Sequence, residues 1–316
     1  MPPMIESKFR PFWWTVKHLA EWTVLANSLA KEMPMSYQHI EVQPVAGAIG
    51  AEIVGADLSE DLADDVVSEI RQALLDNLVI FFREQDISDD DLARFGRRFG
   101  DLAELPPHRQ VPGKFPELLI VEKKPEDTMN FGWEWHSDTS HLELPSLGSI
   151  LVAKVVPPIG GDTFFSNQYM AYDALSDGMK KMLEGLRAVH SNGRIFRTLG
   201  EGGTPPRGTE GVSADWAEMW ATHPVVRTHP ETGRKALYVN EMHTERLEDM
   251  TVEESQPLLR FLYEHSCRPE LTCRFQWRVG SIAFWDNRCA QHLALNDYQG
   301  HHRLMHRVQV KGTAPQ

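Results

Sequence analysis

The sequence predicts a mostly β protein decorated by helices, and three observations support this fold class. Short apolar segments separated by Gly, Pro and Asn recur through the second half of the chain. Of the five segments with helical periodicity, three lie within the first hundred residues. The 316 residues are 41% hydrophobic and 24% charged, which is enough to bury a full-sized core. We expect an N-terminal extension over residues 1–37 and a single domain over residues 38–316.

The extension carries an amphipathic segment that ends before Pro34. Its apolar residues recur every three or four positions, which is the spacing of one helical face. Two interpretations stay open: a helix that docks on another surface, or an upstream extension with no role in chemistry. The apolar residues are Leu19, Trp22, Leu25, Ala26 and Leu29.

The domain itself opens with two short β-like runs between Ile40 and Val54. A helix is expected to start at Ser59, which can cap an acidic first turn. A second helix is expected from Ser88, with Asp91 three residues on as its capping partner. Between them, the apolar run Leu78 to Phe82 predicts a buried strand.

The rest of the chain is predicted to be rich in strands, with helices only at Ser176 to Leu186 and at Thr251 to His265. Between these helices, residues 193–221 are dense in Gly and Pro, and a loop of this length is expected to form an active-site lid. The expected strands are Ile150 to Val156, Ala236 to Asn240, Arg274 to Val279, Ile282 to Asp286 and Arg303 to Val310.

Charge and hydropathy exclude several classes of partner. Lys and Arg number 32 against 45 Asp and Glu, a formal net charge of −13. So acidic a chain lacks the cationic face that nucleic acids and anionic lipids require, and we expect neither as a partner. No apolar run approaches the ~18 residues needed to cross a bilayer. The three cysteines follow neither CxxC nor zinc-finger spacing, which favours a reducing, cytoplasmic location.

The strongest chemical signal is the run Trp135-His136-Ser137-Asp138. On an extended segment, residues two apart share a face, so the His136 imidazole and the Asp138 carboxylate would point at a common spot. Such a pair is common by chance, and it needs a second histidine before it indicates a metal. His292 is the candidate, although by itself it could equally be a surface or core residue. Two histidines and one carboxylate form the facial triad of non-haem Fe(II) oxygenases, which leaves coordination positions open.

Two arginines follow His292 in an apparent strand. Arg303 and Arg307 lie 11 and 15 positions after it, so both guanidinium groups project from the same strand face. One interpretation is a solvated face. The other is a pocket in which an arginine binds the far carboxylate of a 2-oxoacid that chelates the iron. Thr163, after a Gly-Gly-Asp turn, could add a hydroxyl donor to that carboxylate, or could simply belong to the turn.

Taken together, these motifs resemble the taurine dioxygenase and 2,4-dichlorophenoxyacetate dioxygenase family, over residues 38–312. Six ordered motifs carry the resemblance. They are Trp135 to Asp138, Gly160 to Thr163, His223 to Pro230, Ala236 to Asn240, Trp285 to Arg288 with His292, and the pair Arg303 and Arg307.

The resemblance implies a double-stranded β-helix, that is, a cupin-like jelly roll. It also implies Fe(II) held by His136, Asp138 and His292, with 2-oxoglutarate and O₂ as co-substrates. Thr163 and Arg303 are then expected to bind the distal carboxylate of 2-oxoglutarate. The implied reaction is hydroxylation of a substrate C–H bond with release of succinate and CO₂.

For the prime substrate, the resemblance places Arg307 at the anionic group. His141 and His243 stand where the taurine enzyme carries phenylalanines, whereas Phe196 is retained, and His108 is a further candidate contact. We therefore expect a more polar pocket and a small organic anion other than taurine: a sulfonate, sulfate, aryloxyalkanoate or other carboxylate. Alternatively, either pocket histidine could turn outward and bond to the backbone.

Two other functions fit part of the pattern. A zinc hydrolase also uses two histidines, one carboxylate and a water, although its mechanism gives no use to the strand arginines. A metal-binding β-sandwich that serves as a scaffold is the non-enzyme alternative. For any of these functions we expect a homo-oligomer, either a dimer or a tetramer.

Overall fold

The computed structural model describes residues 37–106, 109–193 and 219–316. Nearly all of the expected extension and lid lie outside these ranges, so both stay predictions. Within the described ranges, no helix combines the length and the apolar character that a membrane span requires.

Fifteen strands and five helices make up the described part of the chain. The strands are β1 (Glu41–Pro44), β2 (Ala51–Val54), β3 (Val79–Phe82), β4 (Leu119–Lys123), β5 (Gly148–Val155), β6 (Thr163–Asn167), β7 (Arg187–Ser191), β8 (Trp220–Pro224), β9 (Val226–Thr228), β10 (Lys235–Leu237), β11 (Thr244–Leu247), β12 (Thr272–Phe275), β13 (Ile282–Asp286), β14 (Ala290–Ala294) and β15 (Arg303–Val310). The helices are α1 (Asp64–Asn77), α2 (Asp89–Arg97), α3 (Gln168–Asp173), α4 (Asp177–Leu183) and α5 (Val252–Ser266).

The strands form one large sheet and three small ones. The large sheet has the order β1-β2-β3-β13-β5-β15-β4, and all its pairings are antiparallel except β2 with β3. A three-stranded sheet, β12-β6-β14, faces it, and the other two sheets are β11-β7-β8 and β10-β9. Two opposed antiparallel sheets whose strands are distant in sequence form the expected double-stranded β-helix.

Strand alternation divides the core into two layers. Ile80 and Phe82 of β3 pack in the layer that also contains apolar residues of α1 and α2. Their neighbours Val79 and Phe81 point the other way, into the space between the two facing sheets. Phe275 of β12 stacks on Phe81 there, with ring centroids 3.9 Å apart. The candidate site residues described below lie at one end of this second layer.

Helix boundaries follow local capping where a cap is present. Ser88 accepts a hydrogen bond from the Asp91 amide, and the Asp91 side chain bonds back to Ser88, as the capping box predicts. The same reciprocal pair joins Thr251 and Glu254 at the start of α5. The expected start at Ser59 is wrong, because the Asp57 carboxylate accepts both the amide and the hydroxyl of Ser59 in a turn. Helix α1 begins at Asp64 instead.

Candidate metal centre and active site

Backbone hydrogen bonds bring the two predicted histidines together. His292 lies in β14, and His136 forms an isolated antiparallel bridge with it. The His136 amide donates to the His292 carbonyl at 3.0 Å, and the return bond is 2.8 Å. Their ring centroids lie 4.1 Å apart. The bridge explains how two residues from distant parts of the chain project into the same space.

Asp138 completes the group, which we call the metal triad (His136, Asp138 and His292). Its Oδ1 atom lies 3.7 Å from Nε2 of His136 and 4.0 Å from Nε2 of His292. All three side chains are buried, and their ligating atoms lie within 4.8 Å of one another. The structure therefore assembles the facial arrangement that the sequence predicts.

The triad is in the protonation state that a metal requires. The Glu134 carbonyl lies 2.7 Å from Nδ1 of His136, so this nitrogen carries the proton and leaves the Nε2 lone pair free. Burial lowers the pKa of both imidazoles, which keeps them neutral. Burial raises the pKa of the Asp138 carboxyl, but the Arg307 guanidinium, helped by the Ser149 hydrogen bond, outweighs it, so the pKa lies below its usual range. One carboxylate and two neutral imidazoles fit Fe(II).

A glycine makes room for the first of these rings. Gly132 adopts φ +85°, and a Cβ atom on it would lie 3.0 Å from Cε1 of His136. Its carbonyl accepts the Ala294 amide at 2.9 Å, which ties the segment to β14. Any larger residue at this position would strain the backbone and press on the His136 ring.

The two strand arginines point inward, so the solvated-face interpretation is wrong. Arg303 is 4% and Arg307 7% exposed, and Met305 between them is fully buried between the sheets. The Arg307 Nη1 atom donates to Oδ1 of Asp138 at 2.9 Å. Arg307 therefore lies at the edge of the triad itself, nearer the metal ligands than Arg303.

Arg303 and Thr163 line a small cavity of about 30 Å³ next to the triad. The Nε and Nη2 atoms of Arg303 are buried and have no hydrogen-bond partner among the described residues. The Thr163 hydroxyl accepts from Nε1 of Trp277 at 3.0 Å, which leaves its own proton available to donate. Unmatched buried donors are unfavourable, and a carboxylate would satisfy them. These residues fit the distal carboxylate of 2-oxoglutarate.

A larger cavity of about 420 Å³ opens on the other side of the triad. Arg307, His141 and His243 line it, as expected for substrate contacts, but most of its remaining wall is apolar. Burial lowers the pKa of His141 to about 4 and that of His243 well below its usual value, so both rings are neutral. The main apolar lining residues are Leu105, Leu119, Phe131, Trp133, Leu142, Leu144, Met219 and Met242.

Two cations that line this cavity, Arg109 and Lys311, are not among the predicted site residues. Arg109 lines the same wall as Arg307, and both guanidinium carbons lie within 6 Å of the Phe131 ring centroid, at 5.2 and 5.9 Å. Burial and the charge of Arg307 lower the pKa of Arg109 to about 10. The family resemblance places substrate contacts in the segment 106–110, from which His108 is the candidate, and the folded cavity identifies Arg109. The predicted contacts His108 and Phe196 lie outside the described residues.

A second buried cluster has similar composition; we call it the brace (His229, Asp286 and Cys289). Nδ1 of His229 accepts two backbone amides at 3.2 Å, so its Nε2 carries the proton and donates to Asp286 at 3.1 Å. Arg288 donates to both Asp286 oxygens, at 2.8 and 2.6 Å. The lone pairs of His229 and Asp286 are therefore used in internal hydrogen bonds, and the brace is not a metal site.

A jelly roll with a His-Asp-His facial triad, a buried arginine for a 2-oxoacid and an adjoining cavity defines a class of enzyme, the Fe(II)- and 2-oxoglutarate-dependent dioxygenases. The sequence matches the family described as "Taurine catabolism dioxygenase TauD, TfdA family" over residues 41–309. The chain belongs to this family, and the expected resemblance is confirmed. The zinc hydrolase and scaffold alternatives are thereby set aside.

Individual relatives agree with this assignment. A sulfate ester dioxygenase of Pseudomonas putida, named as α-ketoglutarate-dependent, is 35% identical over 92% of this chain and 95% of its own. An alkylsulfatase of Acinetobacter baylyi is 34% identical over 87% of this chain and 86% of its own. The crystal structure of a taurine dioxygenase from Burkholderia xenovorans superposes with a TM-score of 0.72 at 35% identity, covering 88% of this chain and 91% of that one.

Proposed function

We propose that the prime substrate is a small organic anion with an apolar chain, of the alkyl sulfate type, and not taurine. One observation carries the proposal: the 420 Å³ cavity beside the metal triad combines two guanidinium groups with largely apolar walls. A volume of this size is typical of sites for small molecules. The names of the two curated relatives above, an alkylsulfatase and a sulfate ester dioxygenase, support the same class.

The charged end of the substrate would meet Arg307 and Arg109. Nη1 of Arg307 is engaged by Asp138, while its buried Nε has no hydrogen-bond partner among the described residues. Two neighbouring guanidinium groups repel each other in a closed cavity, and a bound anion relieves that repulsion. The sulfate group would therefore be attracted to both guanidinium groups.

The apolar end of the substrate would lie along the aromatic and aliphatic wall. Phe131 lies beside both guanidinium groups, and Leu142 and Met242 extend the wall. Burial of apolar surface contributes ~25 cal/mol per Å², so each added methylene should improve binding until the cavity is full. Taurine has two methylenes and a cationic amine, and it would gain little from such a wall.

When bound by the metal triad, Fe(II) supplies the site at which O₂ and 2-oxoglutarate react and the substrate C–H bond is oxidised. Arg303 and Thr163 would orient 2-oxoglutarate by its distal carboxylate, and the apolar wall would keep water away. Hydroxylation of the carbon that bears the sulfate gives a product that collapses. The alkyl sulfate, O₂ and 2-oxoglutarate are thus converted into an aldehyde, hydrogen sulfate, succinate and CO₂.

The test is a substrate panel scored for succinate together with the released product. Alkyl sulfates of four to eight carbons, alkyl sulfonates, aryloxyalkanoates and taurine are compared with the 2-oxoglutarate turnover that occurs without substrate. We expect coupled aldehyde and sulfate formation from the alkyl sulfates and background turnover with taurine. Efficient sulfite release from taurine, or preference for an uncharged substrate, would contradict the proposal.

A variant pair sharpens the test of the anion site. Arg109→Met should lower kcat/KM for alkyl sulfates by ~10-fold or more, the loss expected for a charge-assisted hydrogen bond, and should leave the KM for 2-oxoglutarate unchanged. Arg260→Met is the matched control, because this exposed arginine of α5 pairs only with Glu264 on the surface. Equal behaviour of the two variants would remove Arg109 from the site.

Location and assembly also belong to this proposal. All three cysteines are free thiols, and Cys273 and Cys289 are buried, which supports a reducing, cytoplasmic compartment. Assembly into a dimer or tetramer is our further proposal. Light scattering of the purified protein tests it, and a monomer at micromolar concentration would contradict it.

A further inference from the structure

In the run Trp285-Asp286-Asn287-Arg288, Asn287 is the residue whose side chain bonds to the backbone of a metal-triad residue. Asp286 and Arg288 bond to each other, whereas Asn287 faces the metal triad. Its Oδ1 atom accepts the Asp138 amide at 3.1 Å and Nε1 of Trp285 at 2.9 Å. Its Nδ2 atom donates to the Ser149 hydroxyl at 3.1 Å. Asn287 therefore links the backbone of a metal ligand to Ser149.

Ser149 is fully buried in β5, and its hydroxyl has no spare hydrogen-bonding capacity. Its Oγ atom accepts Nδ2 of Asn287 and Nε2 of Gln309, each at 3.1 Å. A serine hydroxyl has two lone pairs and one proton, so the two amides direct that proton outward. The proton is donated to Oδ2 of Asp138 at 2.6 Å.

The strands hold this network in place. Ser149 lies directly opposite Trp285 of β13 on one side and opposite Gln309 of β15 on the other. The three strands are adjacent in the centre of the large sheet. The position of the hydroxyl is thus set by backbone hydrogen bonds and does not depend on a loop.

The two Asp138 oxygens consequently have different surroundings. Oδ2 accepts the Ser149 hydroxyl, while Oδ1 accepts Nη1 of Arg307 at 2.9 Å and faces the two histidine Nε2 atoms at 3.7 and 4.0 Å. We propose that Ser149, oriented by Asn287 and Gln309, is a positioning residue that keeps Oδ1 toward the metal and Oδ2 away from it. Hydrogen-bonded partners of metal ligands typically contribute 10–100-fold in metal affinity. The inference rests on the metal triad, and the experiment distinguishes failure of the positioning role from failure of the metal triad itself.

The experiment measures Co(II) and anaerobic Fe(II) binding to the metal-free protein by calorimetry, with the visible spectrum of the Co(II) form as a second readout. Ser149→Ala should raise the Kd by ~10-fold or more and change the Co(II) bands, since the carboxylate loses the bond that orients it. Ser149→Thr retains the hydroxyl and should restore both. Ser255→Ala is the matched control, because this buried helix serine bonds only to backbone atoms of α5 and its neighbours.

A second variant covers the case in which Ser149→Ala does not fold. Gln309→Ala leaves Ser149 in place but removes one of the two amides that direct its proton, so a smaller loss of metal affinity in the same direction is expected. Wild-type Co(II) affinity and spectrum in folded Ser149→Ala, or in Gln309→Ala if Ser149→Ala is insoluble, would overturn the positioning role. If Asp138→Ala also bound Co(II) like the wild type, the metal triad itself would be wrong.

Discussion

The metal triad and the brace are two buried clusters of nearly the same composition with opposite hydrogen-bonding states. Each contains a histidine, an aspartate and a third potential ligand, with the ligating atoms within 4.8 Å of one another. In the brace, Asp286 accepts from Arg288 and His229, and burial raises the pKa of the Cys289 thiol, which keeps it protonated. In the metal triad, Oδ1 of Asp138 lies 3.7 and 4.0 Å from the Nε2 atoms of His136 and His292, and it also accepts Nη1 of Arg307.

The difference lies in the histidines: both ring nitrogens of His229 are hydrogen-bonded, whereas Nε2 of His136 is 3.7 Å from Oδ1 of Asp138 and remains available to a metal ion. The same contrast holds for the arginines nearby. Arg288 uses Nε, Nη1 and Nη2 in bonds to Asp286 and Glu231. Arg303, equally buried, leaves Nε and Nη2 without a partner among the described residues. The unpartnered Nε and Nη2 atoms of Arg303, which lie beside the small cavity next to the metal triad, therefore fit a bound carboxylate.

The largest effect is expected at the metal triad. Asp138→Ala or His136→Ala should abolish succinate formation, since neither leaves enough ligands to hold Fe(II), while circular dichroism shows a folded protein. Cys289→Ala in the brace is the matched variant and should retain metal binding. Turnover at the wild-type rate in Asp138→Ala would eliminate the distinction between the two clusters.

A smaller but still strong effect is expected at the unsatisfied arginine. Arg303→Ala should raise the KM for 2-oxoglutarate by ~10-fold or more, because a charge-assisted bidentate pair with the distal carboxylate is lost. The Co(II) affinity of the metal-free protein should stay within error. Steady-state kinetics with 2-oxoglutarate varied measures the change, and an unaltered KM is the result that would remove this role.

The brace should affect stability and not metal binding. Asp286→Asn leaves Arg288 paired with Glu231 alone, and the weakened charge-assisted hydrogen bonds should cost ~1.5–3 kcal/mol of unfolding free energy. Denaturant unfolding of the metal-free protein measures the loss, and calorimetry with Co(II) should give the wild-type Kd. A large loss of Co(II) affinity in a folded Asp286→Asn variant would show that the brace shapes the metal triad.

The smallest effect is a pH dependence that distinguishes the neutral histidines from the ionised brace. Burial lowers the pKa of His141 and of His223 to about 4 in the folded protein, below the unfolded value of 6.5. Their contribution to stability is present above pH 6.5 and is lost as the pH falls toward 4. The pKa of Asp286 is also lowered, so its contribution to the unfolding free energy should be lost only below the usual aspartate pKa of about 3.8.

Denaturant unfolding of the metal-free protein between pH 7.5 and 4.5 tests this order. The unfolding free energy should decline steadily across that range, and His223→Gln should flatten the slope, since a glutamine has no proton to gain. An unfolding free energy that stays constant down to pH 4.5 would contradict the role given to the histidines.

Much of the catalytic pattern could be predicted from the sequence because it depends on residues that are only a few positions apart. The four-residue interval between Arg303 and Arg307 places both side chains on one face of β15. The two-residue interval between His136 and Asp138 also brings their side chains together, although Asp138 lies in a turn after the isolated bridge of His136. The capping box at Ser88 likewise depends on a neighbour three residues away. Even so, His292 became a ligand candidate only through the ordered motifs around it.

The remaining assignments were decided by tertiary structure. Arg109 has no motif of its own, and only the cavity shows that it shares a wall with Arg307. Ser149 has no motif of its own, and its role appears only when Asn287, from the turn after β13, and Gln309, from β15, direct its proton toward Asp138. The physical reason is the range of the interactions. The sequence alone determined which side chains share a face with their near neighbours. Whether a buried donor or lone pair is satisfied depends on partners brought together by folding from as far as 169 residues away.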